Sequence, residues 1–404
     1  MRIQEATRVV SFRESLIREQ SRLAAKHRAI NLAQGFPDFP CTDALKGFAS
    51  RSIAMDSNQY SPTWGLESLR EAIAGKAAAF NGIHADPATE ITVVCGSTEG
   101  MVCAFLGLVD PGSEVLIFEP TYENYIPDSL LAGAKARYVR LREPDWSIDL
   151  DELESHFNER TSAIILNSPH NPTGKVLTRR ELEGISRLCQ KWDVLVFSDE
   201  IYEHILYGGT PHISPASIPG LEDRTVTISS ASKTFGVTGW RVGWVIASRP
   251  LMAAIRKVHD FLTVCAATPL QEAVGMALRE GGGFFEDQRR EYEARRALLL
   301  EGLARLGMKC RPPEGAYYVL ADAGEILAAN PGLIDDMGLA SHLVRTLGVA
   351  AVPGRAFYTG RNGGRDKLRF CFCKRMETLE EAVRRLEPLA APQRAQRAMA
   401  APPR

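Results

Sequence analysis

The stretch "SSASKTFGVTGWRVGW", residues 229 to 244, sets one lysine, Lys233, among small uncharged residues and follows it eight positions later with Arg241. A solvated surface lysine usually stands among other charges. Ser230, Ala231 and Ser232 instead offer a backbone that something bulky can approach closely. Other polar residues recur just behind apolar runs. "CGSTEGM" puts Ser97 and Thr98 where a strand passes into a helix, and amides at a helix N-terminus suit a phosphate dianion. "EPTYENY" puts Tyr122 where a flat ring could stack on an aromatic ligand, "NSPHNPTGK" carries Asn171, and "FSDEIY" carries Asp199 and Tyr202. An aspartate directly behind an apolar strand is costly to bury unless it meets a cation or a protonated nitrogen. Taken singly, each residue has a plainer reading: helix caps for Ser97, Thr98 and Asp199, core packing for the tyrosines, a turn for Asn171.

The elements that must position these residues follow from the apolar pattern. "ITVVCG" (91 to 96), "EVLIFEP" (114 to 120), "KARYVRL" (135 to 141), "SAIILNSP" (162 to 169), "VLVFSDE" (194 to 200) and "TVTISS" (225 to 230) read as strands buried on both faces, and "RVGWVIA" (241 to 247) makes a seventh. Helical patterns alternate with them, and "TRRELEGISRLCQKW" opens with Thr178 as an N-cap candidate. The pattern predicts an α/β fold with a mainly parallel seven-stranded sheet and helices on both faces, over a large domain at 45–283. Beyond Gly281-Gly282-Gly283 a long charged helix, the strands "AYYVLAD", "GVAAVPG" and "KLRFCFCK" and a last helix predict a smaller α+β domain at 284–391. Residues 1–44 are expected to form an N-terminal arm joining that small domain, and the Ala-, Pro- and Arg-rich 392–404 a disordered tail. In open parallel sheets ligands bind at the carboxyl ends of the strands. A lysine, an aspartate, an asparagine, two tyrosines and a phosphate cradle at one sheet edge would hold a flat, phosphorylated, pyridine-like aldehyde as a Schiff base. That description fits pyridoxal phosphate.

Composition narrows the alternatives. The 404 residues are 45% hydrophobic and 24% charged with a formal net charge of -1, which argues against nucleic acid or a membrane as the main partner. The charged first residues carry no apolar run of a secretory signal, so a cytoplasmic location is expected. Eight scattered cysteines lack Cys-x-x-Cys or zinc-type His spacing, so no metal is expected, and they read as buried thiols of a reduced compartment.

The motifs "NLAQGFPDFP", "NQYSPTWG", "NSPHNPTGK", "SDEIYEH", "SASKTFGVTGWRVGW" and "LRFCFCK" occur in this order. With them the chain resembles the class I and II aminotransferases of the fold type I pyridoxal phosphate family from about residue 30 to 390, and within it the kynurenine, glutamine and methionine aminotransferase group. The resemblance implies that Lys233 joins the cofactor aldehyde, Asp199 pairs with the pyridine nitrogen, Asn171 and Tyr202 reach the ring oxygen, and Tyr122 stacks on the ring. Ser97, Thr98, Ser230 and Arg241 would bind the phosphate, joined by Tyr60 from a second subunit, which implies a homodimer with shared active sites. Arg369 would grip the substrate α-carboxylate, with Gly35 and Asn171 beside the substrate. The implied reaction moves the amino group of a neutral, aromatic or sulfur-containing L-amino acid to a 2-oxo acid by a ping-pong mechanism. The same site could run β-elimination on cysteine conjugates instead. Some relatives carry a pocket-lining tryptophan upstream of "GQGFPDFP", and "SFRESLIREQSRL" has none. "TVCAATP" (263 to 269) is expected to leave uncharged space in the pocket, and Arg355 in "VPGRAFY" is the candidate to meet an acidic side chain.

Overall fold

In the computed structural model, which describes residues 5–12, 14–280 and 283–390, the seven apolar runs pair into one sheet. A two-residue strand, β1 (Ile30–Asn31), precedes them. The sheet comprises β2 (Ile91–Val94), β3 (Glu114–Glu119), β4 (Lys135–Arg140), β5 (Thr161–Asn167), β6 (Leu195–Asp199), β7 (Thr225–Ser230) and β8 (Gly243–Ile246). Their order across the sheet is β2-β8-β7-β6-β5-β3-β4. Only β8 runs against its neighbours, so the sheet is mainly parallel, as its sequence predicts. Every residue of β2, β3, β7 and β8 is buried, so β2, β3 and β8 read as mainly apolar runs, while β7 alternates and buries Thr225, Thr227 and Ser229 as well. At the sheet edge β4 is largely solvated, and Lys135, Arg137 and Arg140 discourage pairing with another chain.

Register brings the chemistry-bearing ends together. Asn167 lies opposite Asp199, and Ser230 opposite Gly243. Gly243 also meets the turn behind β2: a Cβ there would sit 2.8 Å from the Gly96 carbonyl carbon. The helix Arg179–Trp192 starts from Thr178 with a full capping box, Thr178 and Glu181 satisfying each other's backbone amides.

Beyond this sheet, β9 (Tyr318–Asp322), β11 (Val352–Pro353) and β12 (Lys367–Cys371) form an antiparallel set in the order β11-β12-β9, while β10 (Val349–Ala350) pairs in parallel with β1. The arm is thus stitched to the C-terminal part of the chain. Its helix Leu16–His27 is capped by the Ser15 hydroxyl. Leu299 and Leu303 of the helix Phe284–Arg305 and Leu379 of the helix Met376–Leu386 share one apolar core with Val319 and Phe370. All eight cysteines are free thiols, with Cys103, Cys189, Cys371 and Cys373 buried and Cys41, Cys95, Cys265 and Cys310 half-buried. Among the described residues no helix is long and apolar enough to cross a membrane. The tail expected to be disordered, 392–404, and two of the three glycines at 281–283 lie outside the described residues.

Candidate active site

A cavity of about 220 Å³ opens at the strand ends, and its wall includes Gly35, Ser97, Thr98, Tyr122, Asn171, Asp199, Tyr202, Lys233, Arg241 and Arg369. At its floor Asp199 ends β6, a strand buried at four of its five positions. The Tyr125 hydroxyl donates to Asp199 Oδ2 at 2.6 Å, and the Ile201 amide reaches Oδ1 at 3.4 Å. Burial pushes the Asp199 carboxyl up to about 6, against the pull of the Tyr125 hydroxyl and the Lys233 charge. Lys233 lies in the short helix Ala231–Thr234 directly behind β7, and its Nζ donates to the Gly35 carbonyl at 3.1 Å. Burial lowers the Lys233 ammonium to about 8, with Arg241 and Arg369 acting in the same direction.

On the same wall the helix Ser97–Leu108 begins at Gly96 without a side-chain cap. Its first amides are therefore free to point at an anion. Gly96 sits at φ 81°, and a Cβ there would come within 2.2 Å of Arg241 Nη2. Arg241 itself is left-handed at φ 55°. Its guanidinium is aimed by the Thr238 carbonyl at 3.1 Å and the Cys95 carbonyl at 3.4 Å. A non-glycine residue in that backbone region is strained, and such strain collects at ligand clamps.

The third corner is the 1% exposed Arg369 of β12. Its Nη1 donates to Asn171 Oδ1 at 2.8 Å and its Nη2 to the Ala33 carbonyl at 2.6 Å, while Nε has no partner. Its guanidinium also lies 4.2 Å from the centre of the Tyr318 ring. The Tyr202 hydroxyl donates to the Tyr318 hydroxyl at 3.1 Å, and the Tyr317 hydroxyl to the Gly35 carbonyl at 2.9 Å. Gly35 has no room for a side chain, since its Cβ would lie 1.9 Å from the Tyr318 oxygen.

Not every residue singled out by sequence reaches this wall. Ser230 is fully buried, its Oγ has no partner, and Ser232 lines the cavity in its place. Tyr60 is 83% exposed and outside the cavity of its own chain. Arg355 is held by Asp335 and Asp336, with Nε donating to Asp336 Oδ1 at 2.8 Å, and does not line the cavity. Nor does any residue of 263–269 within this chain. Conversely, sequence reading passes over Tyr125, Asn167, Tyr318 and Asp128, all on the wall. Asn167 bridges the floor: its Nδ2 donates to the Asp199 carbonyl at 2.9 Å and its Oδ1 accepts from the Asn171 amide at 2.8 Å. Burial and the Asp199 charge push Asp128 up to about 7.

This donor set suits a phosphorylated pyridine aldehyde. It offers an amine, an anion placed for a protonated ring nitrogen, and an open helix start beside a guanidinium, with the buried Ser232 Oγ still unpartnered. The family model described as aminotransferase class I and II matches residues 27–386. A probable N-succinyldiaminopimelate aminotransferase of Mycobacterium tuberculosis is 38% identical over 395 residues, covering 95% of this chain and 98% of that protein. The structure of the N-succinyldiaminopimelate aminotransferase from that organism superposes with a TM-score of 0.92 at 38% identity, covering 96% of this chain and 100% of its own. The methionine aminotransferase of Escherichia coli is 35% identical over 375 residues, covering 93% of this chain and 96% of its own.

Proposed function

The chain belongs to the class I and II aminotransferases, and from that premise we propose that it is a pyridoxal phosphate-dependent enzyme. It would move the amino group of a neutral, aromatic or sulfur-containing L-amino acid to a 2-oxo acid in two half-reactions of a ping-pong sequence. The observation that carries this reading is one cavity whose wall brings together Lys233, Asp199, Arg369, Ser97, Thr98 and Arg241. When bound, pyridoxal phosphate supplies an aldehyde that takes up amino groups and a ring that spreads the charge left by α-proton removal.

The chain's own residues do the rest. Ser97, Thr98 and Arg241 hold the phosphate, joined by Tyr60 from the partner in a homodimer, and the exposure of Tyr60 supports that arrangement. Tyr122, Asn171 and Tyr202 share the cavity wall, where Tyr122 would hold the ring and Asn171 and Tyr202 its oxygen. Asp199 as a carboxylate keeps a proton on the ring nitrogen, and a cationic partner there would draw its pKa back down. Arg369 binds the substrate α-carboxylate with a guanidinium already oriented by Asn171 and Ala33. The Nζ of Lys233, lowered to about 8, would hold the cofactor's aldehyde group and could carry a proton to and from the substrate near neutral pH.

A neutral donor is supported by Ile17, Phe36 and Met101 on the wall and by Arg355 being occupied by two aspartates. The name of the methionine aminotransferase points the same way. The test is a half-reaction screen in which loss of the bound-aldehyde absorbance is followed for each amino acid without acceptor. Methionine, glutamine or an aromatic amino acid should react fastest. Faster glutamate or aspartate would overturn the donor class and direct attention to Arg18 on the wall.

A further inference from the structure

His259 lies in the helix Arg249–Leu262 with its side chain fully buried. Its Nδ1 is 2.7 Å from Glu99 Oε1, and its Nε2 is 2.7 Å from the Thr63 carbonyl oxygen. A carbonyl oxygen only accepts, so Nε2 carries a hydrogen. Three donors converge on Glu99, the Cys95 amide on Oε2 and the Thr263 hydroxyl and Cys103 thiol on Oε1, and such convergence favours the ionised carboxylate. Nδ1 therefore donates to a carboxylate, and a ring that donates from both nitrogens is an imidazolium.

We propose that His259 is a positioning residue, an imidazolium whose two N–H groups fasten the start of the helix Ser97–Leu108 to the 58–64 segment and so keep the phosphate end of the cavity in shape. That this end takes a phosphate rests on the function proposed above. Glu99 stands two residues after Ser97, and Cys95, whose amide it accepts, lends its carbonyl to Arg241. Thr63 stands three residues after Tyr60. Elsewhere the same segment is tied by Thr268 Oγ1 to the Gln59 carbonyl at 2.6 Å, and the Arg256 guanidinium lies 3.8 Å from the centre of the Trp64 ring.

The surroundings favour one titration. The groups near the ring are Glu99 and Cys103 from the helix in front, Cys95 from the turn before it, Arg256 and Asp260 from its own helix, Cys265 from the following loop, and Arg70 behind Arg256. Burial pushes the Cys95 and Cys103 thiols up, so both stay neutral. Burial alone would lower His259, but the bond and charge of Glu99 and the Thr63 carbonyl hold it above its ordinary value. Burial alone would raise Glu99, but His259, Thr263 and the Cys95 amide hold it below. The His259 contribution is therefore complete below the free imidazole value of about 6.5 and lost as pH rises through the raised one. The Glu99 contribution is lost as pH falls through its depressed value.

The test uses the full chain with 15N-labelled histidine, the His259 signals being assigned by their loss in His259→Gln. Both ring nitrogens should be protonated at neutral pH, with a midpoint above that of free imidazole that moves down in Glu99→Gln. Pyridoxal phosphate release should be about tenfold or more faster in His259→Gln near neutral pH, the scale of one lost charged hydrogen bond. In the parent, release should quicken as pH rises through the His259 midpoint, and in His259→Gln that pH step should vanish. A neutral ring with one N–H, or release that keeps the parental rate and pH step in His259→Gln, overturns the proposal. If the protein takes up no pyridoxal phosphate, the functional reading fails. The positioning claim is then decided by hydrogen exchange at the Ser97 and Thr98 amides, which must quicken in His259→Gln and overturns the claim if unchanged.

Discussion

Asp199 and Glu203 stand four residues apart and both carboxyls are buried, yet their surroundings differ. Glu203 lies 2.5 Å from the Lys76 ammonium and accepts from Asn81 Nδ2 at 2.7 Å and the Ser229 hydroxyl at 2.6 Å. Burial works against its charge, but the Lys76 ammonium, with His204 and His212, holds its carboxyl down at about 2. Its neighbour Glu200 is similarly provided for, by His212 at 2.7 Å and the Ser198 and Ser214 hydroxyls at 2.8 Å each. Asp199, facing the cavity, has one phenol and one long amide contact and is pushed up to about 6. The region behind the sheet edge is electrostatically complete and serves the fold. In front, among the described residues, the buried Asp199 carboxyl makes no ion pair, although Lys233, Arg241 and Arg369 share its cavity, and an unpaired buried acid marks the place for a cationic ligand group.

Two substitutions can break this division. Asp199→Asn should lower kcat by roughly a hundred- to a thousandfold, the scale of a lost charge-stabilising group, with little loss of stability. Glu203→Gln should do the reverse, costing about 3–5 kcal/mol in urea unfolding because Lys76 is left buried without its anion, with kcat per folded molecule near that of the parent. Equal losses of activity in the two variants would contradict the division. A smaller effect sharpens it at the substrate end: Arg369→Lys should lower kcat/KM for amino-acid donors by roughly ten- to a hundredfold, because a point charge cannot replace the oriented fork.

The strand ends are legible in the sequence because the buried strands keep their charged residues at their ends, while uncharged Thr92, Ser198 and Thr227 lie within them, so Asp199 and Lys233 stand out directly behind strands. Residues that act from within an apolar run do not. Tyr318 sits in β9 among buried neighbours and reads as core, yet its hydroxyl meets Tyr202 and its ring meets Arg369. Tyr125 looks like any aromatic at a helix start, and only the folded chain brings its hydroxyl to Asp199. Ser230 and Ser232 have the same side chain, and the turn out of β7 decides which one lines the cavity. Glu99 and His259 are 160 positions apart, and no local pattern marks them as partners.

The smallest predicted effect is on stability against pH, where the two carboxyls should act with opposite signs. Glu203, depressed from 4.5 to about 2, stabilises above its ordinary value and loses that contribution as pH falls through about 2. Asp199, raised from 3.8 to about 6, contributes fully below its ordinary value and loses that contribution as pH rises through about 6. In cofactor-free protein, Asp199→Asn should therefore gain on the parent in urea midpoint as pH climbs through that window. A constant difference would mean that the Asp199 carboxyl is not raised.

On the proposed function Lys233 carries the cofactor at the edge of the sheet. Borohydride reduction of the loaded protein, followed by proteolysis and mass mapping, should place one pyridoxyl group per chain on the peptide containing Lys233 and none in Lys233→Ala. A label on any other lysine, or the same labelling in Lys233→Ala, would rule out Lys233 as the cofactor's lysine.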